Sequence, residues 1–435
     1  MTPRLTLRTA YRFFFPLILM TELNAISKSV IHAFLARSAT PAVSLAGFNI
    51  AFTFYYSTTS ATEVSQLITL SYFKHQRCLV HLLGFYCMLL APALLLAELV
   101  AFTSLGDWVF GTLFGASTEA VEQAKLATFM LSLTAPILLA RALAFGILML
   151  HGRTPLITVS TLVRVLSLGL SLIILPWFLS GAAAGAAALT FCMFVETLVA
   201  WFFAAPFFRR MPRDGALPSY RELWRFAWPL ILNSSSEMGM VFVINILLGR
   251  LTNPDIALAA FGVVHGLVSL LLSPVRNLVH TAQTLVRSQE DRQVMQRFTY
   301  HLIAVFGGLS ILIFWTPLDA VVLRWVMGLD PELERYCAPA MQLCFVMTVF
   351  WSYSALFRGL MAGARSTTML AATGVARIVS AALVASAALL NPGFNGAVLG
   401  LCAWIFGYAA EVGGLWLRLR AGVTMAPPPQ SSNRS

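Results

Sequence analysis

Apolar runs of about 20 residues or more, each bounded by a short cluster of Arg, Pro, Gly or Asn, follow one another from residue 12 to residue 418. A helix rises about 1.5 Å per residue, so one such run crosses the roughly 30 Å of a bilayer's hydrocarbon. Twelve runs reach that length and are predicted as transmembrane helices, at residues 12–36, 43–72, 79–103, 122–150, 155–177, 182–207, 225–250, 256–287, 298–325, 336–362, 368–390 and 396–418. After the sixth run, the stretch RRMPRDGALPSYRELWR brings Pro, Gly and charge together. It predicts a division into a six-helix bundle over 1–208, a cytoplasmic linker over 209–224 and a second six-helix bundle over 225–420. The tail over 421–435 is polar and proline-rich and is expected to be disordered.

Composition sharpens this picture. The 435 residues are 58% hydrophobic and 11% charged, with a mean hydropathy of +0.79, whereas a soluble domain carries about 25% charged residues. The first run follows a basic stretch, MTPRLTLRTAYR, but it contains Glu22, Asn24 and Lys28 and lacks an Ala-x-Ala cleavage site, so it reads as a retained helix. The net charge of +11 does not imply a nucleic-acid partner, because the arginines sit between the runs. Of the 29 Lys and Arg residues, 18 fall on the side of the amino terminus. Five (Arg37, Lys125, Arg250, Arg324 and Arg335) fall on the other side, and six lie inside runs. Positive charge favours the cytoplasmic side, so both termini are expected to be cytoplasmic, with the chain a multi-pass protein of the cell (inner) membrane.

The six cysteines are scattered through apolar runs and read as core residues. The chain has no Walker A, HExxH or G-x-S-x-G pattern. No enzyme activity, cofactor or metal site is expected.

The chain also repeats itself. RFFFPLIL begins at Arg12 and RFAWPLIL at Arg225, 213 positions later. That shift aligns 14 of the 37 residues from Arg12 to Phe48, including Arg37 with Arg250 and Pro41 with Pro254. It carries Gly146 onto Gly359 and Arg164 onto Arg377; a further two-residue adjustment brings Gly181, Gly185 and Glu196 onto Gly396, Gly400 and Glu411. Six is even, so both halves enter the membrane from the same side. The expected fold is all-α, with twelve transmembrane helices in two six-helix parallel repeats enclosing a central cleft, a plan suited to alternating access.

This plan, with Pro16 and Pro229 in the first and seventh runs, resembles the MATE-like transporters of the multidrug, oligosaccharidyl-lipid and polysaccharide exporter superfamily. Within it, FWTP (residues 314–317), RIV after Ala376, NGAVLG (395–400) and GYAAE (407–411) resemble the progressive ankylosis (ANK) proteins, most closely over the last third of the chain. The resemblance implies export of an anion such as citrate, inorganic pyrophosphate or a nucleoside triphosphate.

Ionisable residues inside hydrocarbon cost about 2.5–3.5 kcal/mol each on insertion scales, so each needs a partner, water or a function. Arg164 and Glu196 lie at matching depths on runs five and six, as do Arg377 and Glu411 on runs eleven and twelve. They are expected to form structural ion pairs, with contact to an anion by the arginines as the other reading. Asn24, Lys28 and His32 share one face of the first helix, with Glu22 nearby; Glu237 and Asn245 hold equivalent positions on the seventh. With Asn49 on the second run, these are expected either to line the cleft or to make polar contacts between helices.

Arg141 and Arg358 lie toward the cytoplasmic ends of runs four and ten, where they would snorkel or offer guanidinium forks to a ligand. Glu63 and Arg276 are related by the repeat and carry opposite charges near the cytoplasmic mouth. They are read either as a salt-bridge gate or as two snorkelling side chains.

The leading expectation is a monomeric transporter of a small-molecule multivalent anion, set in membrane lipid, with a proton or sodium ion as coupling ion. Its alternatives are a cation-coupled multidrug exporter or a flippase for lipid-linked oligosaccharides on the same fold, and a non-transporting receptor or scaffold.

Overall fold

A computed structural model describes residues 5–420 except Ala36, Ala39, Ser60, Ala61, Glu63, Phe114, Gly115, Gly328 and Asp330; for some helical residues, Asn24 and Lys28 among them, it describes the backbone only. The expected tail, 421–435, lies outside the described residues, as does Glu63.

The described residues are helical with short turns and include no strand. In chain order the helices of eight or more residues are α1 (Leu7–Leu35), α2 (Pro41–Thr59), α3 (Ser65–Tyr72), α4 (Cys78–Phe102), α5 (Thr118–Ser132), α6 (Thr134–Leu150), α7 (Thr154–Ile174) and α8 (Gly181–Arg210). The second set is α9 (Tyr220–Leu248), α10 (Pro254–Leu272), α11 (Leu278–Leu285), α12 (Gln289–Phe314), α13 (Pro331–Met341), α14 (Cys344–Gly363), α15 (Thr368–Ala385) and α16 (Gly396–Arg420). Ten helical stretches among the described residues are long and apolar enough to cross a membrane, and α1 with the α2–α3 pair completes twelve spans.

The repeat seen in the sequence is a repeat of structure. Shifted by 213 residues, α1, α2 and α3 fall on α9, α10 and α11 at both ends. A π-helical stretch, Asp107–Leu113, recurs as Val321–Val326 beyond α4 and α12. Such stretches are rare, so their recurrence at one place is a strong mark of duplication. Thr103 and Thr316 cap the ends of α4 and α12 in the same way, each hydroxyl donating to the carbonyl four residues back, at 2.6 and 2.7 Å. Burial repeats too: Ile157, Arg164 and Leu168 of α7 are buried, and so are Leu370, Arg377 and Ala381 of α15.

Each half needs glycine where two of its helices cross. A Cβ on Gly146 would lie 2.3 Å from the Thr69 side chain, and one on Gly359 would lie 2.5 Å from the Val279 carbonyl oxygen. These glycines let α6 pack against α3 and α14 against α11, which fixes the height of the polar residues on α6 and α14.

The second and eighth spans are each divided into two helices. α10 stops at Leu272, the turn Ser273–Asn277 is a 3-10 helix, and α11 starts at Leu278. Pro274 has no N–H to continue the ladder, yet the first half, whose sequence has Ala61 at that position, stops at the equivalent place, Thr59. There the hydroxyls of Thr59, Thr62 and Ser65 donate to backbone carbonyls of Tyr55, Thr59 and Thr62 at 2.6–2.7 Å, satisfying acceptors that a broken helix leaves exposed.

The first compact unit is Arg12–Trp224, and the second starts at Arg225 and takes in the amino-terminal residues up to Tyr11. The expected linker is strapped to the first half: the Gln76 amide donates to the carbonyls of Arg209 and Met211, the His81 ring meets the Pro218 carbonyl at 2.6 Å, and Arg77 pairs with Asp214 at 2.8 Å. In turn Leu5 donates its N–H to Asp291 at the start of α12, and the Tyr11 hydroxyl meets His301 Nδ1 at 2.8 Å.

Candidate functional site: two buried charge networks

In the first half the polar centre is Glu196, fully buried on α8. The small residues GAAAGAAA at the start of α8 let neighbouring helices come close. Arg141 of α6 donates Nη1 to Glu196 Oε2 at 2.7 Å, and Arg164 of α7 places Nη1 3.5 Å from the same oxygen. The Thr161 hydroxyl donates to Oε1 at 2.6 Å. Arg164 Nη2 reaches α1, donating to Ser27 Oγ at 3.0 Å and the Leu23 carbonyl at 3.5 Å. One carboxylate thus ties together three helices, and Arg164 adds a fourth.

The second half is built on Glu411 of α16, equally buried. Arg377 of α15 donates to Oε2 at 3.0 Å, as does the Ser354 hydroxyl of α14. Asn233 of α9 donates Nδ2 to Oε1 at 2.9 Å. Arg377 Nη2 donates to the Asn233 carbonyl and to Ser236 Oγ, and its guanidinium lies 4.9 Å from the Tyr408 ring centroid.

Here the second half goes further than the first. Arg358 of α14 donates Nη1 to Asn233 Oδ1 at 3.3 Å, so a cation leans on a neutral amide. Glu237, one helical turn beyond Asn233, accepts from Arg276 Nη2 at 3.1 Å, and Arg276 lies 5.9 Å from the Trp351 ring. His265 stacks on Trp404 at 4.6 Å, and Trp351 packs against Trp404 and Tyr408 at 5.6 and 5.9 Å. Around this cluster, Trp351 Nε1, Trp404 Nε1, Arg358 Nε and Arg377 Nε are buried donors with no hydrogen-bond partner among the described residues. A buried donor left unmade costs about 1–3 kcal/mol, so four in one region call for acceptors.

The repeat shows what changed. Arg141 corresponds to Ser354 and Phe145 to Arg358; Leu138, Leu189, Phe52 and Met193 stand where the second half has Trp351, Trp404, His265 and Tyr408. Apolar positions in one half are polar or amphipathic in the other.

The structure brings Arg164 to Glu196 and Arg377 to Glu411. It also brings Arg141 and Arg358 into the networks, because α6 and α14 turn those positions toward α8 and α9. Arg276 pairs inside its own half with Glu237, about 26 Å along α9. The expected partner, Glu63, lies outside the described residues.

Of the polar stripe, Glu22 and His32 are half-buried, with the His32 ring edge-on to Phe48 at 5.8 Å; the side chains of Asn24 and Lys28 are outside the description. Asn49 is exposed, and Asn245 is half-buried. Asn233, Ser236, Ser354, Thr161 and Ser27 were not expected in the site. The run NSSSE (residues 233–237), five polar residues inside an apolar span, is the signal that points to the first two.

Solved structures share this fold. A transporter of the MOP superfamily from Pyrococcus furiosus, whose structure is described as having a binding pocket of reverse polarity that suggests a different function, matches over 95% of both chains with 17% identity and a TM-score of 0.74. An outward-facing multidrug-resistance MATE transporter matches over 95% of both chains, at 16% identity and a TM-score of 0.72. A eukaryotic MATE transporter matches over the same shares at 14% identity and 0.70. No protein-family profile and no curated protein sequence matches the chain. The protein is thus a multi-pass membrane protein with the twelve-helix MATE fold.

Proposed function

We propose that the protein is a membrane transporter, not an enzyme, that moves a multivalent anion by alternating access, with citrate, pyrophosphate or a nucleotide as the substrate class. One observation carries the anion reading. Within the spans of the second half, three guanidinium groups (Arg276, Arg358 and Arg377) face two carboxylates (Glu237 and Glu411), and Arg358 Nε, Arg377 Nε and the Trp351 and Trp404 indole N–H groups are left without acceptors among the described residues. An anion supplies the missing charge and the missing acceptors together. A cationic drug supplies neither. The shared fold supports transport, and the ANK-like motifs of the last third support the substrate class.

Arg358 is the residue assigned to the substrate, because its partner is an amide and not a carboxylate. Glu22 of α1 is assigned to the coupling ion, since Glu237 is committed to Arg276. The role assigned to Arg164–Glu196 and Arg377–Glu411 is to hold helices together.

The test is uptake of labelled citrate, pyrophosphate and ATP into proteoliposomes, with and without proton and sodium gradients. Wild-type protein moves at least one of the three, and Arg358→Phe, the first half's residue at that position, lowers that flux at least about tenfold with little change in thermal stability. Flux unchanged by the substitution, or transport of cationic dyes and of none of the anions, overturns the proposal. The latter outcome favours the multidrug reading, which the likeness to a multidrug-resistance MATE structure keeps in play.

A further inference from the structure

Lined by neither network's residues, a cleft of about 520 Å³ lies between α12, α14 and α16 of the second half. Its two ends differ in chemistry. Arg292 stands at the start of α12 and Arg420 at the end of α16, both on the arginine-rich side of the membrane. Arg292, Gln296 and Tyr300 follow at four-residue spacing on one face of α12, about 12 Å from end to end. The far end is lined by Tyr353, Phe350 and Val412, and no lining residue carries negative charge. Arg420 Cζ lies over the Trp416 ring, 3.8 Å from its centroid, a contact that leaves guanidinium N–H groups for an anion.

The first half shows that this cleft is an addition to the repeat. Arg292, Gln296 and Arg420 correspond to Leu79, Leu83 and Ala205, and Tyr353 corresponds to Ala140. Trp416 corresponds to Trp201, which tucks inward and donates Nε1 to the Ala140 carbonyl at 3.0 Å. In the second half Tyr353 stands at the place of that alanine, and both Tyr353 and Trp416 line the groove. Trp416 is instead 41% exposed and becomes one wall of the groove.

We propose that this groove binds an anionic phospholipid of the leaflet on the amino-terminal side. The phosphate sits between Arg292 and Arg420, and an acyl chain runs down the Tyr300–Tyr353 wall. Positive charge at headgroup level with an aromatic and aliphatic channel below it matches the polarity of one lipid molecule.

The test uses purified full-length protein in neutral detergent, with bound lipid counted by native mass spectrometry. Phosphatidylglycerol binds at least about tenfold tighter than phosphatidylcholine, and Arg292→Ala with Arg420→Ala removes that preference. Arg418→Ala, outside the groove on the same helix end, does not. Tyr353→Ala keeps both arginines but restores the first half's residue; it closes the groove with the indole and lowers lipid binding to the level of the double variant. This readout is independent of transport, so its failure leaves the functional proposal standing.

Equal binding of the two lipids, or unchanged binding by Tyr353→Ala, overturns the inference. Displacement of the lipid by glycerol phosphate at similar concentration would make it a site for free phosphate compounds. Binding that develops only after truncation beyond Arg420 would assign the groove to the tail.

Discussion

The two halves share a scaffold and differ in how they settle their buried charge. In the first, two guanidinium groups converge on Glu196 and a hydroxyl fills its second oxygen, with Leu138, Leu189 and Met193 at the positions that are aromatic in the other half. In the second, Glu411 takes one guanidinium, a hydroxyl and an amide, while Arg358, Arg276 and Glu237 extend the network past it. Duplication supplied two copies of one frame. Substitution at some six positions then left one unpartnered donor, Arg164 Nε, beside Glu196 and four around the second network, among the described residues.

The largest effect should come from removing the central carboxylates. Breaking a buried pair by deleting one partner costs roughly 3–5 kcal/mol. Glu196→Gln strands two arginines and Glu411→Gln one, so both lower the thermal midpoint in detergent, the first by more. Equal midpoints would show that the halves do not differ in this respect.

A smaller effect separates the helix crossings. Gly359→Ala drives a methyl against the Val279 carbonyl and is expected to cost about 1–3 kcal/mol, with no side chain whose trimming relieves it. Gly146→Ala meets the Thr69 side chain instead, so adding Thr69→Ala, which copies Ala282 of the second half, should restore most of the loss. Failure of that rescue would mean that backbone and not side chain sets the spacing of α3 and α6.

The smallest effect lies at the turns after α6 and α14, where Gly152 has φ +66° and its equivalent, Arg365, has φ +54°. Nothing lies within 4 Å of a Cβ on Gly152, so Gly152→Ala isolates the backbone cost of about 1 kcal/mol. Arg365→Gly should change stability by less than about 1 kcal/mol, because relief of the strained turn is offset by a looser unfolded chain. Denaturant titration of both variants measures the difference.

Much of the frame was legible in the sequence because it is written in long-range periodicities. Twelve apolar runs set the spans, and Arg and Pro repeated 213 residues apart set the halves. The meetings of Arg164 with Glu196 and Arg377 with Glu411 followed from depth alone. What depth does not supply is azimuth. The partnership of Arg141 with Glu196, and of Arg358 with Asn233, depends on how far α6 and α14 are rotated about their axes, which the glycine contacts with α3 and α11 decide. The break after α10 is marked by Pro274, whereas the one after α2 carries no such mark, because the hydroxyls that serve its freed carbonyls look unremarkable in a linear string. The pairing of Arg276 with Glu237 likewise depends on how the chain turns between α10 and α11.

The seating of Leu5 and Tyr11 on Asp291, Phe298 and His301 has a consequence for biosynthesis. The chain's first residues acquire their native neighbours only after some 290 more have been translated, roughly 15–60 s at ordinary elongation rates. During that wait the leading end must stay unengaged while five or more spans insert behind it. A bulky amino-terminal fusion is therefore expected to delay maturation of the later half of the protein, far away in sequence, while sparing the earlier one.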